Sequence, residues 1–430
     1  VTRPTVAFET LGCKLNQFET DGIAAEFLRL GWTIVDPGGA ADAYVVNTCT
    51  VTAHADKKSR RTVSAHTPGP GVVVVTGCFA ESARETLEDE PGVTFVVPNA
   101  RKNQIAALVD SHRRGEVSAP ATPGPDPFGF AVDGKVFHTR AGLKIQDGCD
   151  NFCSFCIIPS VRGRAVSRPR DAVLAAARSA LQNGRKELVL TGINLGRWSD
   201  GTLGFTGLVR DLLAIDGDWR LRITSLEPAL DEAFADLLGH PKLCPHLHLC
   251  LQSASPRVLL AMRREYNLEQ YTALVDRLRA RQPGLNLTTD LLVGFPGETD
   301  ADFERSLEAV ETYEFGFVHV FPYSRRQDTR ADRMPGQVPE AVKAERSRRL
   351  QARADEARRQ RMGALVGIER RVLVETPDQG RLAGGWLRGL TEDYFPVRFC
   401  GQTAWNTFER VRLSTVVREG GEWVFEAQAF

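Results

Sequence analysis

Short, continuous apolar runs alternate with stretches of helical periodicity along much of the chain. Val6–Phe8, Ala43–Val46, Val72–Val75 and Val93–Val97 are apolar throughout, as expected for strands buried on both faces of a parallel sheet. Helix-like stretches such as Gln17–Leu30 and Ala80–Glu88 separate them. Residues 1–111 therefore predict an open parallel α/β domain. Residues 112–140 break the pattern with proline and glycine and read as a linker, with a short hairpin near Ala131–Phe137.

A second series begins at Gly142. Its candidate strands are Leu143–Gln146, Leu188–Thr191, Leu221–Thr224, Leu247–Leu251, Leu287–Leu292 and Phe317–Phe321, with helices such as Pro169–Asn183 and Asp300–Tyr313 between them. Strand–helix units repeated in this way predict a partial (β/α)6 barrel over residues 141–361. A charged, arginine-rich helix, Pro339–Gln360, closes it. Residues 362–430 then change to short alternating runs, Arg371–Glu375, Trp386–Thr391 and Phe395–Phe399, with glycine turns, and predict a small β-barrel. Residues 415–430 give no clear final strand.

Composition adds boundaries. At 430 residues, 42% hydrophobic and 25% charged, the chain can bury the cores of two to four domains. No apolar run reaches the roughly 18 residues of a membrane span. The first residues lack the basic and apolar segments of a signal peptide, so a cytoplasmic location is expected. Net charge is zero, which leaves room for a local basic face but not for a basic protein as a whole. In a reducing compartment, nine cysteines suggest metal ligands, catalytic thiols or core residues rather than disulfides.

Two sets of three cysteines carry the chemistry. Cys149, Cys153 and Cys156 share one loop, GCDNFCSFC, after the first barrel strand. Cys13, Cys49 and Cys78 are far apart in sequence, yet each ends a strand-like segment: FETLGC, YVVNTC and VVVTGC. Ligands of open parallel sheets and barrels gather beyond the carboxyl ends of the strands, so each set is expected to converge there. Three thiolates can hold three irons of a four-iron cluster and leave the fourth open. A structural zinc site is the alternative, but it would need a fourth cysteine or histidine nearby.

The CxxxCxxC spacing resembles the signature of the radical S-adenosylmethionine (SAM) superfamily. That resemblance implies a 4Fe-4S cluster on Cys149, Cys153 and Cys156 that binds and cleaves SAM. It also implies cofactor contacts at Phe155 in the loop and at strand ends: Thr191 and Gly192, Glu227, Gln252 and Ser253, and Gly294 in GFPGE. The segments GCKLNQFET, NTCTVTAHADKKSR and TGC resemble the methylthiotransferase family within that superfamily. This second resemblance spans nearly the whole chain and implies a second 4Fe-4S cluster on Cys13, Cys49 and Cys78, bearing the sulfur to be inserted. It further implies an RNA-binding TRAM-like terminal domain, a reductant such as flavodoxin or ferredoxin, and a sulfur donor. GCKLNQFE is closest to the branch acting on N6-threonylcarbamoyladenosine-37 in the tRNA anticodon stem-loop; other branches act on isopentenyladenosine or a ribosomal-protein aspartate.

Arg162, Arg164 and Arg168, with Arg170, follow the tight loop and are expected to meet the RNA backbone. The arginines of Pro339–Gln360 fit RNA contact or a solvated charged face equally well. In the terminal domain Arg388, Arg398, Trp386, Tyr394 and Phe395 could combine phosphate contact with base stacking. Cys244, Cys250 and Cys400 fit neither set. His246 and His248 share one face of a strand and are expected to be packed or hydrogen-bonded.

Overall fold

The computed structural model describes residues 3–116, 126–130, 137–375 and 385–430. The hairpin expected near Ala131–Phe137 lies, apart from Phe137, outside them.

The amino-terminal domain is a five-stranded parallel sheet. Thr5–Thr10, Ala43–Thr48, Val72–Gly77 and Phe95–Val97 are the expected strands. Thr33–Val35 is an additional edge strand, too short and too exposed to show as an apolar run. Ala80–Glu88 is not one helix: Cys78–Ser82 and Arg84–Glu88 are separate turns, broken at Ala83. The core lies on both faces of the sheet, as the unbroken valine runs require: Ile23, Phe27 and Trp32 on one side, Val63, Phe79 and Leu87 on the other.

All six strands of the second series form and run parallel in the order of the chain. They are Ala141–Lys144, Glu187–Thr191, Arg220–Ile223, His246–Leu249, Asn286–Val293 and Phe317–Pro322. The third continues as Ser225–Leu226, and this break divides the wall into a three-stranded and a four-stranded piece. One large leucine-rich core lies between this wall and the helices that cover its outer face.

The helix Glu340–Gly363 leads to a closed five-stranded barrel made of Glu369–Val374, Trp386–Thr391, Pro396–Cys400, Phe408–Glu419 and Glu422–Ala429. The tail is therefore corrected: residues 408–429 form a hairpin that completes the barrel. Phe395 belongs to its core and not to a stacking surface. No helix among the described residues is long and apolar enough to cross a membrane.

Candidate active site

Both sets of cysteines lie at carboxyl ends of parallel strands. In the amino-terminal domain, Gly12 has φ 96°, and a Cβ there would fall 2.8 Å from Cys49 Sγ. Only glycine lets the Cys13 turn approach Cys49 so closely. Gly77, at φ 99°, similarly sets Cys78 at a helix start against the backbone of Thr48. The Cys13 and Cys49 thiols each feel the field of Cys78, so the three share one locale. Burial pushes the Cys49 thiol up to about 11. It also raises Cys13, which keeps open surface while being ringed by protein, as in a concavity.

The tight loop is built around Gly148, whose φ of 68° and contact with the Arg164 carbonyl exclude a side chain. Cys149 N donates to Gly163 O and Cys156 N to Cys153 O. Burial raises the Cys153 thiol and pushes the Cys156 thiol up to about 12. Arg264 opposes this at Cys153, donating from Nη1 to Sγ at 3.1 Å while also pairing with Glu227. Asn194 Nδ2 stands 4.0 Å from Cys149 Sγ, and its buried Oδ1 has no partner among the described residues. Thiols held protonated by burial beside an arginine and an orphan acceptor suit a cationic centre, which would ionise them and receive polar ligand groups. Among the described residues, one trio of metal-ligating atoms lies mutually within 4.8 Å, and it contains no cysteine. Neither thiol set is thus drawn in as tightly as a single tetrahedral zinc ion would require.

The strand-end residues differ in role. Gly192 lets its loop close on Gln146, whose side-chain oxygen accepts from Ile193 N at 2.9 Å and Asn194 N at 2.7 Å. Thr191 is buried beside it. Glu227 faces Arg264 and the cysteine loop. Gln252 holds φ 64°, a strained value for a non-glycine residue, with its backbone N and O bonded to the fifth strand. Ser253 is buried and accepts from Ser255 N at 3.2 Å. Gly294 makes room for Lys343 and donates its N–H to Glu298. Phe155 packs in a small core with Phe295. The fold itself thus uses these last three.

The arginine expectation needs correction. The Arg162 side chain is fully buried and meets no solvent. Its guanidinium reaches Glu19 and Asp147 at 3.1 Å and Asn16 Oδ1 at 2.8 Å. Lys102 and Lys144 complete the group on Glu19, and Lys144 also holds Asp147 at 2.6 Å. Burial alone would raise the Glu19 carboxyl, but Arg162, Lys102 and Lys144 hold it well below the usual range. Sequence reading missed this network, although Asn16 and Glu19 lie one turn apart inside GCKLNQFET and Asp147 lies two residues before Cys149. It joins the two domains: Cys78–Ser82 packs on Ile158–Arg162, and Asn99 Nδ2 donates to Val161 O at 3.0 Å. Three cations face two carboxylates, so a surplus positive charge sits beside Cys13 and Cys78, whose thiols both feel Arg162.

Arg164 is exposed and pairs with Asp150 at 2.9 Å. Arg168 is half-buried in a small hollow with Phe18, Phe128 and Phe130. Arg346, Arg348, Arg349, Arg353, Arg358, Arg359 and Arg361 of the long helix all bond to acidic or carbonyl partners, most of them on neighbouring elements, and Arg346 and Arg358 are buried. In the terminal barrel Arg398 stands over Trp386 and pairs with Glu426, and Arg388 pairs with Glu419 at 2.6 Å. His246 and His248 both bond Thr288 Oγ1, at 3.1 and 3.0 Å, on the inward face of the wall.

A model of the radical SAM superfamily matches residues 143–310, and one described as uncharacterized protein family UPF0004 matches residues 5–98. The threonylcarbamoyladenosine tRNA methylthiotransferase MtaB of Thermotoga maritima is 35% identical and aligns over 97% of this chain and 96% of its own. Its Bacillus subtilis counterpart is 37% identical, with 92% and 90% covered. A tRNA-2-methylthio-N(6)-dimethylallyladenosine synthase of Cereibacter sphaeroides is 36% identical, with 87% and 88% covered. Among solved structures, the radical SAM methyltransferase TsrM of Kitasatospora setae shares the fold, with a TM-score of 0.55 at 16% identity over 77% of each chain.

Proposed function

From the premise that the chain belongs to the radical SAM methylthiotransferases, enzymes of methylthio insertion, we propose that it converts N6-threonylcarbamoyladenosine-37 of tRNA to the 2-methylthio form. The observation that carries this reading is the pairing of two three-thiol sites across the Glu19–Arg162–Asp147 network. The loop cysteines Cys149, Cys153 and Cys156 would hold one 4Fe-4S cluster with SAM, and Cys13, Cys49 and Cys78 a second. When bound, these groups supply a carbon radical able to remove an aromatic hydrogen and a sulfur able to take its place.

The chain's own residues do the rest. Arg264 offsets the charge of a Cys153 thiolate, and Glu227 fixes Arg264. Gln146 and Asn194 hold the second strand end against the loop, leaving Asn194 Oδ1 to accept from a bound amino group. The surplus cation of the domain-joining network offsets the negative charge of a three-thiolate cluster. Of the two tRNA substrates named for the relatives, the threonylcarbamoyl one is favoured by fuller alignment, 97% against 87% of this chain. Arg164 at the loop and the terminal barrel, read as TRAM-like, are the proposed RNA contacts. A flavodoxin or ferredoxin would supply electrons and a separate donor the sulfur, in the cytoplasm.

Anaerobic reconstitution tests the two-centre reading: about eight irons per chain are expected. Replacing Cys149, Cys153 or Cys156 by alanine should abolish reductive SAM cleavage. Replacing Cys13, Cys49 or Cys78 should spare cleavage and stop methylthiolation. Mass spectrometry of tRNA nucleosides from cells with and without the protein tests the substrate; an unchanged methylthio-threonylcarbamoyladenosine level would refute it.

A further inference from the structure

Lys14 follows Cys13 at the start of the first helix and is exposed. Its ammonium donates to the Tyr394 hydroxyl and stands 4.5 Å from the centre of that ring. Tyr394 sits at the tip of a turn of the terminal barrel with φ 73°, stacked on His246 at 4.5 Å. Two arginines flank the same ring, and each has its own carboxylate: Arg140 pairs with Glu375 at 2.6 Å and Arg222 with Glu187 at 2.6 Å. Lys14 does not. Among the described residues no carboxylate lies within salt-bridge distance of it.

The ammonium shares its space with the inward face of the open wall. Burial chiefly, with the fields of neighbouring cations among which Lys14 is one, disfavours protonation of both His246 and His319. His248, Asp290 and His319 form the neighbouring cluster on that face, and Asp290 is engaged by His248 at 3.2 Å. Lys14 is thus a cation beside a cluster cysteine, aimed by one hydroxyl, with donors to spare and no carboxylate partner among the described residues.

We propose that Lys14 is the specificity residue that binds a carboxylate carried by the N6 substituent of the target adenosine. The inference rests on the threonylcarbamoyl reading, since that substituent ends in a free carboxylate and the isopentenyl group does not. An ammonium with free donors gains charge-assisted bonds from an anion. An apolar group of similar size would instead strip it of water and return nothing.

The test uses the reconstituted full-length enzyme with anticodon stem-loops carrying threonylcarbamoyladenosine, its methyl ester, or isopentenyladenosine. Wild type should favour the acid over the ester in kcat/KM by roughly tenfold to a hundredfold. Lys14→Gln should lose that preference through a fall on the acid alone, and Lys14→Arg should keep most of it; reductive SAM cleavage is followed in parallel. A Lys14→Gln enzyme with the wild-type acid-to-ester ratio overturns the role of Lys14 and leaves the substrate reading standing. Should that variant not fold, a wild-type ratio near unity overturns it alone. Activity on the isopentenyl RNA and none on the acid overturns both.

Discussion

Glu19 is the residue on which most of the domain junction turns. Three cations converge on its two oxygens, and at 1% exposure no water can replace it. Glu19→Ala would leave buried, unmatched charge, a loss of about 3–5 kcal/mol; chemical denaturation of the variant checks it. The same residue sets a pH response. Glu19, Asp147 and Glu187 are all held below ordinary carboxyl values, burial being overcome by arginines and lysines. Their contribution is in full above the unfolded carboxyl pKa of about 4 and is lost as pH falls below it. Melting temperature should therefore drop from about pH 5 to about pH 2 more steeply in wild type than in Glu19→Gln; parallel slopes would count against the network. None of this was legible from Arg162 alone, because a run of arginines shows charge and not burial. Its partners lie at positions 16, 19 and 147, and only the fold brings them together.

At the level of elements, Gly142 decides how the two α/β units meet. A Cβ on this first barrel strand would fall 2.1 Å from Phe18 Cγ on the first helix. Gly142→Val should pry the helix from the strand and misplace one cysteine set relative to the other. The expected outcome is near-normal reductive SAM cleavage with methylthiolation down on the order of a hundredfold, both read from one assay mixture. Elements of this kind were mostly legible in advance. The first domain's central strands are buried on both faces and largely apolar, and each of its apolar runs became a strand; the wall's strands instead carry buried polar residues such as Glu187 and Arg222 on one face. The exceptions have local causes. Thr33–Val35 is an edge strand with little to bury. The last hairpin carries a bulge between Leu413 and Thr415 and turns at Gly420 and Gly421, which hides its alternation. The cysteine loop was legible as a candidate site because its three cysteines are close in sequence. The dispersed set was legible only through its shared strand-end setting.

Over the whole molecule, the terminal barrel is part of the wall's foundation. Arg220 and Arg222, at the start of the third strand, donate to the carbonyls of Arg371, Leu390, Thr391 and Glu392, while Glu187 lies buried between them. Asn286 reaches Asp393 O at 2.7 Å from the start of the fifth. A chain cut after Gly363 would strand these groups without acceptors, so it should be insoluble or lose much of its melting temperature. A soluble fragment with intact reductive SAM cleavage would show the barrel to be an independent appendage. The Tyr394 turn closes the foot of the wall, yet it belongs to the segment made after everything it closes. During synthesis, domains fold from the amino end as they emerge. Both cysteine sets therefore leave the ribosome before the turn that closes the foot of the wall exists, so their surroundings are completed by the last segment to be made.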